Sequence, residues 1–254
     1  VAFNIPLELT FHYLIPAALR DAVVAGVRVK APFGPRERQG FIVRVLTKSP
    51  LKELKSIRRA VDPRPVIAGE RWQLAAWISS TYYCSLGEAL AAMVPTELRL
   101  AATHEAPLPV SYPEPSHLEL STAQRRAFEL IAAALKSPQS KTMVLHGVTG
   151  SGKTELYLQA IDLVLRQGRA AMCLVPEISL TPQTIDRFRE RFGDQVALWH
   201  SRLTARQRAQ AWVRLERGEA RIVVGARSAV FAPVAHLGLV ILDEEHEATY
   251  KQED

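Results

Sequence analysis

The chain has 254 residues, 48% of them hydrophobic and 23% charged, which suits about two globular domains. No apolar run approaches the roughly 18 residues of a membrane span, and the N-terminus lacks the basic patch and apolar core of a secretory signal, so a cytoplasmic protein without a membrane partner is predicted; it opens on Val1 rather than Met, as a chain missing its natural start would. Lys and Arg exceed Asp and Glu by 32 to 26, compatible with a nucleic-acid partner without demanding one, and with no CxxC spacing Cys84 and Cys173 read as buried reduced thiols rather than zinc ligands.

The first domain is expected over residues 1–100 as a β-rich unit with C-terminal helices. Residues 26–31 alternate apolar and basic side chains, the period of a half-buried strand. Gly34 and Pro35 turn the chain, and residues 40–46 read as the returning strand of a hairpin. Trp72, Leu74, Ala75, Ala76, Trp77 and Ile78 predict an amphipathic helix within 69–84. A shorter helix around Glu88–Met93 ends before Pro95. Residues 101–118 carry four prolines and no periodicity, and read as an extended linker.

Residues 119–254 alternate strand and helix. Strands are predicted at 142–146, 170–175, 196–199, 221–225 and 238–242, with helices at 153–167, 182–192 and 205–217. Thr181 and Thr204 are placed to cap, Pro182 fits a first turn, and Gly193 and Gly218 follow helix ends. Repeated βα units specify a parallel sheet, with ligands at the carboxyl ends of its strands.

Between the first strand and helix stands Gly147-Val148-Thr149-Gly150-Ser151-Gly152-Lys153-Thr154, a complete GxxxxGKT phosphate loop. Its glycines let successive backbone N–H groups turn inward on phosphate oxygens. Lys153 can reach the β- and γ-phosphates, and the Thr154 hydroxyl can hold Mg²⁺. The aliphatic run Leu239-Val240-Ile241-Leu242 reads as a strand buried on both faces and leads into Asp243-Glu244-Glu245-His246. Asp243 there is placed to hold Mg²⁺, directly or through water, and Glu244 to polarise an attacking water.

Asp243–His246 resembles the DExH box of superfamily 2 helicases and translocases. Residues 174–183 (Leu-Val-Pro-Glu-Ile-Ser-Leu-Thr-Pro-Gln) resemble that superfamily's motif Ia, residues 225–233 its motif Ib, and residues 200–204 the segment between. The combination with Gly-Val-Thr-Gly-Ser-Gly-Lys-Thr-Glu and Asp-Glu-Glu-His-Glu-Ala-Thr-Tyr-Lys-Gln resembles more narrowly the PriA family of bacterial primosomal replication-restart helicases. The resemblance implies an α/β fold: a parallel-sheet, RecA-like first helicase lobe over 119–254, preceded by a small mixed β/α DNA-binding domain. It implies ATP and Mg²⁺ as cofactors and Gln124 as the residue that recognises adenine. It places Pro176, Glu177, Arg227 and Ser228 along a DNA track, where backbone N–H groups, the guanidinium and the hydroxyl suit phosphates.

Residues 11–16, 29–34 and 54–56 resemble the same family's 3′-DNA-binding domain. By that likeness Phe11 and Tyr13 supply an aromatic platform for a terminal base, Gly34 a closely approaching backbone, and Lys55 a polar contact. His12 stands where the family has an aspartate, and a neutral imidazole offers one donor and one acceptor instead of a carboxylate. The implied partners are branched DNA with a free 3′ end, single-stranded DNA, other primosome proteins and single-stranded-DNA-binding protein. Two further departures stand out. The family's winged-helix domain has no counterpart between the two regions. The chain also ends at Asp254, ahead of the family's aromatic-rich loop, motif III, second lobe with its arginine finger, and zinc-binding cysteines.

The function implied is an ATP-dependent 3′→5′ DNA helicase acting at stalled or branched forks. This polypeptide alone is expected to bind nucleotide weakly and hydrolyse it slowly, since charge stabilisation comes from both lobes. A fork-binding scaffold with a dispensable ATPase, and another superfamily 2 DNA translocase, are the alternative readings.

Overall fold

A computed structural model of the chain describes residues 1–96, 98, 100, 118–148 and 150–250 and divides into two units, Val1–Glu105 and Ala106–Asp254. All of the proline-rich segment except Leu118 lies outside the described residues.

The first unit holds an antiparallel sheet of β1 (Ala2–Phe3), β2 (Arg28–Phe33), β3 (Arg36–Phe41) and β4 (Arg59–Ala60), in the order β1-β3-β2-β4. Phe33 pairs with Arg36 across the two-residue loop Gly34-Pro35, and Gly34 takes the left-handed φ of +58° that such a tight loop favours at its first position. That loop fixes the register, so the returning strand is Arg36–Phe41 rather than 40–46. Ile42 still bonds Val27 O at 2.9 Å, but Val45 and Leu46 beyond it are exposed. The polar run Arg36-Glu37-Arg38 faces solvent, and a reading weighted on apolar residues passes over it.

Val23, Val27, Val29, Ile42 and Ile57 form one core cluster of the unit. Between Val27 and Val29 on β2, and so on the opposite face of the strand, Arg28 pairs with Asp62 at 2.6 Å, with side chains 1% and 0% exposed. Two helices follow, α1 (Arg71–Thr81) and α2 (Leu86–Met93). The expected amphipathic face of α1 is not a core face: Ala75 alone is buried, and Trp77 is 55% exposed. Helix α2 is capped reciprocally by Ser85 and Glu88, and a Cβ on Gly87 would stand 1.7 Å from Phe3 O. Glycine is required there for the helix to touch β1.

The second unit begins with α3 (Thr122–Lys136), capped by Ser121 and Gln124, and continues through α4 (Lys153–Arg166), β5 (Ala170–Leu174), α5 (Pro182–Phe192), β6 (Val196–Trp199), α6 (Ala205–Glu216), β7 (Ile222–Gly225) and β8 (Leu237–Leu242). Thr181 and Thr204 each accept a hydrogen bond from the third residue of their helix. All pairings are parallel, in the order β6-β7-β5-β8, as the βα alternation predicts. The four strand ends lie in register: Leu174 opposite Gly225 and Leu242, and Trp199 opposite Gly225. The segments just beyond them therefore emerge along one edge.

The expected strand at 142–146 does not form. Residues 141–148 take no regular structure, and Met143 and Val144 are exposed. Strand formation needs a hydrogen-bonding neighbour as well as apolar residues, and β8 pairs only with β5 among the described residues. Leu237, Val240 and Leu242 of β8 are correspondingly exposed, against the reading of a strand buried on both faces. Cys173 is buried as expected, while Cys84 is only partly so. Among the described residues no helix is long and apolar enough to cross a membrane.

Candidate functional site

The phosphate loop bends where its glycines permit. Gly150 and Gly152 have φ of +77° and +82°, a region that side-chain-bearing residues enter only with strain. A Cβ on Gly147 would stand 2.7 Å from Ser151 Oγ. Thr149 lies outside the described residues. The Lys153 ammonium donates to Gly147 O at 2.6 Å and Val148 O at 3.2 Å, so the charge sits across its own loop. Gln124 buttresses the same bend. Its Oε1 accepts from Ser121 N–H at 2.8 Å, closing the cap of α3, and its Nε2 donates to Ser151 O at 2.8 Å. A Cβ on Gly152 would reach within 2.4 Å of that amide nitrogen.

The acidic motif lies where β8 ends. Asp243 N–H donates to Leu174 O at 2.9 Å, which carries the parallel ladder one residue past the strand. Its Oδ1 accepts from the Tyr157 hydroxyl at 3.0 Å and from Glu244 N–H at 3.2 Å. The Tyr250 hydroxyl donates to Asp243 O at 2.9 Å. Glu244 has a left-handed φ of +48°, and its Oε2 accepts from the Ser179 hydroxyl at 3.1 Å. Burial first, then the Asp243 carboxylate, pushes the Tyr157 hydroxyl well above the ordinary phenol range. Burial does the same to Tyr250, so both remain protonated donors at neutral pH. Burial likewise raises the Cys173 thiol beneath Asp243, which keeps it an inert core group.

Tyr157 lies three residues after Thr154 on α4, on the same helix face. Its contact with Asp243 therefore brings the end of the phosphate loop beside the acidic strand end. Hydroxyl and carboxylate oxygens are hard donors. Among the described residues no cluster of three His, Cys, Asp or Glu side chains could hold a metal. A cation here would depend on phosphate oxygens and water besides one carboxylate, as magnesium commonly does. The glycine cradle and this donor set fit a magnesium nucleotide.

A second concavity, of about 150 Å³, is lined by Pro176, Glu177, Ser201, Arg227, Ser228 and Tyr250, among others. It gathers segments that follow β5, β6, β7 and β8. The Ser201 hydroxyl bonds the Glu177 carboxylate, while Arg227 and Ser228 are exposed in a short turn, Arg227–Phe231. His200 is held below its ordinary pKa, by burial first and then by Arg202.

In the first unit Phe11 meets Phe33 edge to face, with ring centroids 5.2 Å apart, and Gly34 follows Phe33 with open space around it. Tyr13 donates to Pro32 O at 2.7 Å, and His12 Nδ1 lies 2.8 Å from Ser49 Oγ. Leu14 N–H donates to Lys55 O at 3.0 Å, leaving the Lys55 side chain exposed. Phe11, Tyr13 and Gly34 thus border one aromatic cluster, while Lys55 meets Leu14, the residue after Tyr13, through the backbone. Phe11 and Tyr13 are half-buried and also pack against Phe3.

Sequence reasoning does not single out Tyr157, Ser179, Ser201 or Tyr250 as site residues. Tyr157 offers a usable signal, a hydroxyl one turn past the loop threonine. The serines lie within the stretches 174–183 and 200–204, but their carboxylate partners emerge only once the strand ends are placed in register.

The 3'DNA-binding domain (3'BD) family model matches residues 1–95, and the DEAD/DEAH box helicase model matches residues 121–254. The replication restart protein PriA of Treponema pallidum is 38% identical over 257 residues, covering 99% of this chain and 39% of that protein. PriA of Haemophilus influenzae is 31% identical over 329 residues, covering 100% of this chain and 45% of that protein. PriA of Bacillus subtilis is 56% identical over 137 residues, covering 54% of this chain and 17% of that protein. The chain therefore spans less than half the length of these relatives.

Proposed function

Since this chain belongs to the DEAD/DEAH box helicase family, we propose that it supplies the fork-binding unit and first nucleotide-binding lobe of an ATP-dependent DNA helicase of replication restart, moving 3′→5′ on branched DNA. The carrying observation is the 3.0 Å bond from Tyr157 to Asp243, which joins the phosphate-loop helix to the acidic strand end across 86 residues.

In this reading the backbone amides of 147–152 wrap the polyphosphate, and Lys153 leaves its loop carbonyls for phosphate oxygens. Gln124 recognises the adenine, from beside the loop that its Nε2 bonds. Bound Mg²⁺, held by Thr154 and Asp243, supplies neutralisation of the phosphate charge. Glu244 aligns the attacking water. Pro176, Glu177, Arg227 and Ser228 take the phosphates of a single strand in the second concavity, which positions the strand without reading its sequence. Residues 1–100, with Phe11, His12, Tyr13, Gly34 and Lys55, take the 3′ end of branched DNA. Residues 119–254 form the lobe and 101–118 the join.

Primosome proteins and single-stranded-DNA-binding protein are the expected partners.

Fluorescence anisotropy of the chain with forks carrying a free or a blocked 3′ end tests the assignment. Stacking of one terminal base contributes about 1–3 kcal/mol, so blocking is expected to weaken binding by about fivefold or more. Equal affinities would remove the 3′-end assignment and leave the nucleotide site standing.

A further inference from the structure

Asp243 is gripped on one side only. The Tyr157 hydroxyl, at 3.0 Å, and Glu244 N–H, at 3.2 Å, both donate to Oδ1, and among the described residues nothing donates to Oδ2. The Tyr157 ring is half-buried and packs against the core beneath the sheet, alongside Leu158, Ile161 and Cys173. Its hydroxyl is thus carried by a side chain with little freedom of its own. A carboxylate bonded only by its neighbour's N–H can still rotate about its last torsion, which is a broad and soft one. A second donor from a different element, fixed in the core, removes that freedom.

We infer that Tyr157 is the positioning residue for Asp243: it holds Oδ1 so that Oδ2 is the oxygen presented to a divalent cation. The inference rests on the magnesium-nucleotide reading above. It makes α4 a two-point device, with Thr154 offering one oxygen to the cation and Tyr157 orienting the carboxylate that offers another. Groups that hydrogen-bond a metal ligand from behind commonly change metal affinity by about 10–100-fold when removed. Tyr157 touches neither nucleotide nor cation in this arrangement, so its removal acts on the metal dependence and spares metal-free binding.

The test is Tyr157→Phe in the 254-residue chain, which deletes one oxygen and keeps the ring. Binding of a fluorescent ADP is followed while Mg²⁺ is titrated, and separately in excess chelator. The Mg²⁺ concentration at half-saturation is expected to rise about tenfold, with chelator-state affinity and thermal midpoint unchanged. In an Asp243→Asn background the same substitution is expected to add nothing, because its target oxygen pair is gone. An unchanged Mg²⁺ half-saturation overturns the role of Tyr157. So does an equal loss with and without metal, which would mark the hydroxyl as a general support of the fold. If the unsubstituted chain shows no Mg²⁺-dependent binding at all, the nucleotide reading and this inference fall together.

Discussion

Lys153 stands at the point where local geometry and ligand chemistry meet. Its ammonium bonds two carbonyls of the loop it closes, Gly147 O and Val148 O, an arrangement that phosphate oxygens can replace with stronger charge-assisted bonds. Lys153→Ala is expected to weaken nucleotide binding by at least about tenfold, the loss of one charged hydrogen bond. The fold should survive, because the loop is shaped by its glycines and braced by Gln124. Fluorescent-ADP titration beside a thermal melt checks both parts, and an unaltered affinity would exclude the lysine from the site. The bend that Lys153 closes was legible in the sequence, because the glycine spacing that shapes it lies within a few residues. The bond of Gln124 to Ser151 O was not legible, since nothing local ties residue 124 to residue 151.

At the scale of elements, the short-range signals translated well. Thr181, Thr204 and the glycines at 193 and 218 bounded α5 and α6 to within a residue. Caps and left-handed turns are decided by a handful of neighbouring atoms. Pairing is not. The expected strand at 142–146 has the residues of a strand and no bonded neighbour, and the hairpin's second strand began six residues beyond the first glycine of its loop in the reading but two in the structure. Arg28 shows how elements are tied together in ways that no pattern reveals. From β2 it bonds Asp62 beyond β4, and the carbonyls of Pro95 and Leu98 beyond α2. Asp62→Ala leaves that guanidinium buried without its carboxylate and is expected to destabilise the first unit by about 3–5 kcal/mol. Replacing both partners by leucine should cost less than Asp62→Ala alone. Urea midpoints followed by tryptophan fluorescence, with Trp72 and Trp77 reporting from α1, read the difference; a loss below about 1 kcal/mol would refute it.

For the whole molecule, the expectation concerns rate. Phosphoryl transfer depends on charge stabilisation around the whole transferred group, and the side chains proposed to serve it, Lys153, Thr154, Asp243 and Glu244, all belong to the second unit. Steady-state ATP hydrolysis by this chain is expected to be far below the roughly 1–100 s⁻¹ typical of kinases, with or without forked DNA. Turnover in that range would show that one lobe suffices. Chain order alone determined the kinds of site present: a phosphate loop bent by glycines at 150 and 152, an acidic turn after an aliphatic strand, and a parallel βα unit behind a β-rich one. Those traits follow from sterics and hydrogen bonds within a few residues. Tertiary structure decided which groups meet: Tyr157 on Asp243 across 86 residues, Ser179 on Glu244, and Ser201 on Glu177. Such meetings depend on the register of β5, β7 and β8, set by packing between segments far apart along the chain, where no local preference reaches.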